Sequence, residues 1–325
     1  MFDLVKIFSS PAKVSVLRTL YAQTNPLPLR HVAYLSNQPL FSVQRALAQL
    51  VEDKLITRQK NKRYVLFQLN KQAPAFNMIK DIFSREAKEI IKLRAQTYHK
   101  KAQSMLDFMS GAYELFRKVK KVEMKLKTFL KEVVLVLQKE KVSFALAGGM
   151  VASLYRQHER TTKDIDFLIL SENKTIEKAK EIITKFQLKP TIIRKADLEG
   201  GPLFAIKRKS TEPYIVAGRV AGDSSKIGLD FILPIMPWFD GALERSQKNL
   251  IDFGFGAFPC LTVEDVIIAK VFAFHNSSKR FHDLDDLRSI FEAGHELDLA
   301  YIKGQLEVLN IKMPKEIKEF VPKGI

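Results

Sequence analysis

Val14, Leu17, Leu20 and Tyr21 fall on one helical face behind Ser10 and Pro11, an N-cap and first-turn pair. After the break TNPLPLR the stretch LRHVAYLS reads as a short helix. QPLFSVQRALAQLVEDKLI then places Val43, Leu47, Leu50 and Val51 on one face of a third. TRQKNKRYVLFQLN closes the block as two strands around a turn at Gln59 to Lys62. Residues 77 to about 140 are expected to be helical almost throughout, in two long amphipathic stretches, FNMIKDIFSREAKEIIKLRAQTY and VEMKLKTFLKEVVLVLQKE.

Beyond residue 140 the pattern changes. VSFALAGGMVASLYRQHERTTKDIDFLIL predicts a strand (Val142 to Ala147), a Gly-Gly turn, a helix (Met150 to Gln157), a basic loop (Arg160 to Lys163) and a second strand from Asp164. FAIKRKS and YIVAGRVAG read as further strands leading to GLDFILP. Trp238 in PIMPWFD is expected to anchor a helix start into the core. The fold class this predicts is a multidomain α/β chain, with an N-terminal three-helix-and-hairpin block over 1–72, a helical linker over 73–134, an α+β core with a mixed sheet over 135–260, and a C-terminal helical part over 261–325.

Charge separates these parts. Lys and Arg outnumber Asp and Glu by 10 to 3 in residues 1–70 and by 16 to 8 in 71–140, but only by 27 to 25 in 141–325, out of a net +17. An anionic polymer would therefore be drawn to the first 140 residues. The single cysteine, Cys260, forms no internal disulfide and reads as a buried small residue. No run approaches twenty apolar residues, and MFDLVKIFSSPAK lacks the order of a signal peptide, so a cytoplasmic protein without membrane contact is expected.

The chemistry concentrates in TTKDIDFLIL. In a strand, Asp164 and Asp166 point to one face while Ile165 and Phe167 point to the other. Two carboxylates so close call for a metal ion, an arginine or lysine, or a shared proton between them. Gly148 and Gly149, after a strand and before a helix, let the backbone approach a ligand and offer N–H groups to phosphate.

With fourteen residues between Gly149 and Asp164, this arrangement resembles the Gly-Gly or Gly-Ser, then D-x-D, signature of the nucleotidyltransferase superfamily that includes DNA polymerase β. Arg160, Thr162, Asp164, Ile165 and Asp166, as R-x-T-x-D-I-D, are similar to the minimal nucleotidyltransferases of abortive-infection and toxin–antitoxin systems. The resemblance covers roughly residues 135 to 295. It implies a third carboxylate at Asp230, two magnesium ions, or manganese in their place, on Asp164, Asp166 and Asp230, and nucleotide contacts from Gly148, Gly149, Arg160 and Thr162. Glu264, Asp265 and Lys270, then Arg280, His282, Asp283 and Asp286, fit the family's C-terminal elements, with His282 where lysine is usual. Lys270 would then reach the phosphates and Asp283 would build or orient the site. Gly149 stands where many active members carry serine, which would leave phosphate binding to backbone N–H groups.

The first 70 residues resemble the winged helix-turn-helix of ArsR- or MarR-type regulators. That resemblance places Ser42, Gln44, Arg45 and Gln49 toward the major groove and Lys60, Lys62 and Arg63 toward phosphate; a plain solvated face is the alternative. Lys207, Arg208 and Lys209 line either an acceptor groove or a solvated strand edge.

Two functions follow. One is a nucleotidyltransferase that moves a nucleoside monophosphate from an NTP to a hydroxyl acceptor such as tRNA or other RNA. It would be toxin-like, with an antitoxin, a DNA-binding domain for autoregulation and a helical region suited to a homodimer. The other is a DNA-binding regulator whose nucleotidyltransferase-like domain senses nucleotide or a partner. The argument for the enzyme is that three clustered carboxylates repel one another without metal.

Overall fold

A computed structural model describes residues 10–23, 25–36, 38–60, 64–117, 126–162, 164–171, 174–194, 213–220, 227–276 and 280–322. The chain forms two units, the first made of residues 1–89, 298–305 and 322–325, the second of 90–297 and 306–321. Among the described residues no helix is long and apolar enough to cross a membrane.

The first unit contains α1 (Pro11–Tyr21), β1 (Leu27–Pro28), α2 (Leu29–Leu35), α3 (Leu40–Glu52), β2 (Ile56–Lys60) and β3 (Val65–Leu69). Ser10 caps α1, accepting from the Lys13 N–H at 3.4 Å, with Pro11 in the first turn. Val16, Leu17, Val43, Leu47 and Leu50 form its core, so the apolar face read for α3 is the buried one. Burial of such side chains stabilises by about 1.5–3 kcal/mol each. Beyond the expected β2–β3 hairpin, Leu27 and Pro28 pair with Phe67 and Leu66 to make a third strand. A two-residue strand, one of them a proline, is too short for a period-2 pattern to show.

The helix α4 runs unbroken from Phe76 to Arg117, and α5 spans Leu126–Lys139. The second unit then builds β4 (Ser143–Ala147), α6 (Gly148–Tyr155), β5 (Asp164–Leu170), α7 (Thr175–Lys185), β6 (Lys189–Arg194), β7 (Pro213–Arg219) and β8 (Gly228–Ile232). It continues with α8 (Phe239–Ser246), β9 (Leu250–Asp252), β10 (Ala257–Pro259), α9 (Val263–Asn276), α10 (Phe281–Glu292) and α11 (Leu299–Leu309), the last beginning in the first unit. The five-stranded sheet has the order β4-β5-β8-β7-β6, with β5 and β8 parallel and the other pairs antiparallel. It is therefore mixed. The helix α6 starts at Gly148, two residues earlier than the sequence suggests, and stops where Arg156 turns extended. Phe167, Phe231 and Tyr155 are buried in this unit's core.

Candidate active site

Strand register gathers the three aspartates at one sheet edge. Asp166 lies opposite Ala147 of β4 on one side and opposite Asp230 of β8 on the other, while Asp164, two residues earlier, is level with Gly228. Two glycines make room for them. A Cβ on Gly148, whose φ is +62°, would sit 1.9 Å from an Asp166 carboxylate oxygen, and one on Gly228 would sit 2.3 Å from Asp164 Oδ1. Any other residue at either position would collide with a carboxylate.

The positive charge between the carboxylates is Arg219, the last residue of β7. Its guanidinium grips Asp230 through both nitrogens, Nη2 to Oδ2 at 2.9 Å and Nη1 to Oδ1, and Nη2 lies 3.4 Å from Asp164 Oδ1. Bidentate arginine–carboxylate pairing of this kind is strong and directional. Among the described residues no three His, Cys, Asp or Glu side chains converge, as they stand, on a point that could hold a metal ion. The donors are the hard oxygens magnesium takes; their present arrangement serves an arginine.

Asp166 is left outside that pair and accepts from the Gly149 N–H. Its carboxyl is pushed up to about 7, first by burial, then by the Asp230 charge, with Asp164 adding and Lys270 and Gly149 opposing. Burial also raises Asp230, against the pull of Arg219. In the native protein Asp166 thus keeps its proton at a pH where the unfolded chain has lost it. The stability this contributes is present below about pH 4 and is lost as pH rises toward 7. In a chelator, wild-type protein is expected to melt lower at pH 8 than at pH 5, and Asp166→Asn to flatten that difference. Equal slopes in thermal unfolding of the two proteins would contradict this.

A second charged cluster centres on Asp286. Asp286 of α10, fully buried, receives Arg156 Nη1 at 2.7 Å, Arg160 Nε at 2.6 Å and Nη2 at 2.8 Å, and Lys270 Nζ at 2.7 Å. Burial alone would raise its pKa, but Arg160 and Lys270 outweigh it and hold the carboxyl at about 2. Lys270 also reaches Asp283 at 2.7 Å, and Arg280 pairs with the other Asp283 oxygen. Glu264 and Asp265, at the start of α9, serve a separate structural network: Arg94 meets Glu264 at 2.7 Å, and Arg245 meets both acids.

The two clusters border one cavity of about 160 Å³, to which Gly148, Asp166, Lys270, Arg280 and Asp283 contribute the polar side. The rest of the lining is largely apolar and includes Ile232, Met236, Phe272 and Trp238. Of the residues the sequence singles out here, Gly148, Asp166, Lys270, Arg280 and Asp283 line this cavity. Asp164 and Asp230 adjoin Asp166. Arg160 is engaged by Asp286 and Thr162 by the Asp164 carbonyl at 3.2 Å. A Cβ on Gly149 would come 3.0 Å from both Arg160 Nη2 and Thr162 Oγ1, a tight fit that these side chains would have to relieve by a small shift. Arg219 and Asp286 carry most of the electrostatics, although neither was singled out for a role. YIVAGRVAG marks a strand but not its neighbour in the sheet, whereas the spacing of Asp286 from Asp283 was a usable signal.

In the first unit Gln44, Arg45 and Lys60 are exposed, and Ser42 and Gln49 half-buried. Lys62 and Arg63, like Lys207, Arg208 and Lys209, lie outside the described residues.

A comparison with curated proteins returns no match. The sequence profile of the nucleotidyl transferase AbiEii toxin family, of type IV toxin–antitoxin systems, matches residues 128–320, more than half of the chain and all three aspartates. That family is a toxin component, which implies an antitoxin as its partner. The mixed α/β second unit is consistent with the match, and the chain belongs to the AbiEii nucleotidyltransferase toxin family.

Proposed function

We propose that the chain transfers a nucleoside monophosphate from an NTP to a hydroxyl acceptor, with RNA such as tRNA as the acceptor class. The observation that carries this reading is the convergence of Asp164, Asp166 and Asp230 on one sheet edge beside Gly148 and a cavity with Lys270 on its wall. Asp164, Asp166 and Asp230 are the residues that would hold magnesium. When bound there, magnesium supplies neutralisation of the triphosphate and activation of the attacking hydroxyl.

The protein's own groups do the rest. Lys270, kept in place by Asp283 and Asp286, presents a fixed positive charge at the cavity wall. Asp286 also immobilises Arg160 against the Gly149 turn. The acceptor oxygen forms a bond to the α-phosphorus as the bond to the β-phosphate oxygen breaks, so pyrophosphate leaves and the hydroxyl proton passes to solvent or a carboxylate.

Arg219 must release Asp230 and Asp164 before they can take a metal. Arg219→Gln is therefore expected to unfold more easily in chelator, by an amount between the ~1 kcal/mol of an exposed pair and the ~3–5 kcal/mol of a buried one, and to regain more stability than wild type on adding magnesium. Equal magnesium-induced shifts in melting temperature for the two proteins would oppose metal binding at these aspartates.

Arg219 also favours a second reading. Its guanidinium pairs with Asp230 and lies beside Asp164, so a group of opposite charge for these carboxylates is present without a metal. A nucleotide or partner sensor could keep the same residues. In either case we read the first unit as a winged helix-turn-helix that binds DNA. Its support is the exposure of Gln44, Arg45 and Lys60 in a basic segment. Binding of the full chain to duplex DNA should weaken steeply with salt, and Lys60→Ala should lower the slope of log affinity on log salt by about 1. No binding at about 50 mM salt would remove DNA from the account.

A further inference from the structure

The helix α3 buries Val43, Ala46, Leu47 and Leu50 on one side. Across the helix from them, Phe41, Gln44, Arg45 and Ala48 stand at the i, i+3, i+4, i+7 spacing of a single stripe, and all four are exposed. Phe41 is 76% exposed, more than any other large apolar side chain among the described residues, and Leu40 beside it is 44% exposed. A face turned only to water carries charged and polar residues. This one sets a phenylalanine on its midline, between a glutamine and an arginine.

Charge says what covers it. Residues 1–70 carry 10 Lys and Arg against 3 Asp and Glu, and the one acid of α3, Glu52, is its last residue. Arg58 and Lys60 of β2 are exposed as well. The occupant is therefore an anion, and the major groove of duplex DNA admits a helix. Within that groove the base edges present acceptors, donors and one apolar group, the C5-methyl of thymine. Glutamine and arginine find their matches on adenine and guanine edges. A phenylalanine ring can only bury itself against the methyl.

We propose that Phe41 reads a thymine methyl in the major groove of duplex DNA, with Gln44 and Arg45 reading base edges on either side of it. This rests on the DNA-binding reading of the first unit above and names the residue that gives that binding a sequence preference.

The test removes the methyl and nothing else. Full-length protein would be used to enrich a site from a pool of random duplexes, and each thymine of the enriched site would then be replaced by deoxyuridine, which pairs identically but lacks the C5-methyl. At one thymine the replacement should weaken wild-type binding about fourfold, the effect of burying one methyl. Phe41→Ala should bind the thymine and deoxyuridine duplexes equally, and because Phe41 is exposed the variant should fold as wild type does. The comparison is a double-mutant cycle between one side chain and one methyl. Deoxyuridine tolerated at every position, an equal loss in wild type and Phe41→Ala, or binding that enriches no site would overturn the thymine contact and leave the DNA-binding reading standing. Tighter binding to the single strands than to the duplex, lost in Phe41→Ala, would overturn it in favour of base stacking on the ring. No binding to any duplex at about 50 mM salt would overturn both readings.

Discussion

Replacing Asp286 by alanine is expected to destabilise the second unit by about 3–5 kcal/mol, the cost of removing one partner from a buried ion pair. For a unit of this size that lowers the melting temperature by roughly 6–20 °C. The reason is the imbalance left behind. Asp286 is fully buried and receives Arg156, Arg160 and Lys270. Lys270 would keep Asp283, and Arg156 would keep Asp285 at 2.9 Å, but Arg160 would retain only the Thr161 carbonyl at 3.2 Å. Arg160 would then be free to leave the Gly149 turn. Thermal unfolding of Asp286→Ala checks this, and a shift of a degree or two would mean the three cations do not depend on it.

Asp164→Ala/Asp166→Ala is expected to abolish nucleotidyl transfer, by about a thousandfold or more, while leaving the protein folded. Loss of charge stabilisation at a transferring phosphoryl group costs several kcal/mol, and each 1.36 kcal/mol is tenfold in rate. Folding should survive because the change removes repulsion without orphaning a cation: Arg219 still has Asp230, its stronger partner, on both nitrogens. Asp166, whose proton is held to about pH 7 in the native state, contributes no ion pair in the metal-free protein that its loss would break. A double mutant that fails to fold would show that Asp164 and Asp166 are structural, contrary to this account.

Much of this architecture is legible in the sequence because the signals are local. Ser10–Pro11 announces a helix start, Val43, Leu47 and Leu50 announce a buried face, and strand, Gly-Gly, helix, D-x-D announces the glycine turn beside two carboxylates. The parts that escape a linear reading depend on which strands become neighbours. The sheet order β4-β5-β8-β7-β6 brings Arg219 to Asp230 and Asp164, and no local pattern specifies that crossing. Asp286 is similar, since its three cations come from two other segments. Trp238 is the buried helix-start anchor its surroundings suggest. Gly149 shows the converse: a departure visible in sequence has surroundings, Arg160 and Thr162 at 3.0 Å from a Cβ placed there, that only the fold brings together.

The most direct measurement is transfer from each of four α-labelled NTPs, with magnesium, to total RNA, to tRNA and to the protein itself, comparing wild type with Asp164→Ala/Asp166→Ala. The account predicts label on an RNA acceptor with wild type and none with the double mutant, which would name the donor base and the acceptor together. Folded wild-type protein that binds NTP but labels no acceptor would contradict it, and would make the carboxylates and Arg219 a nucleotide sensor.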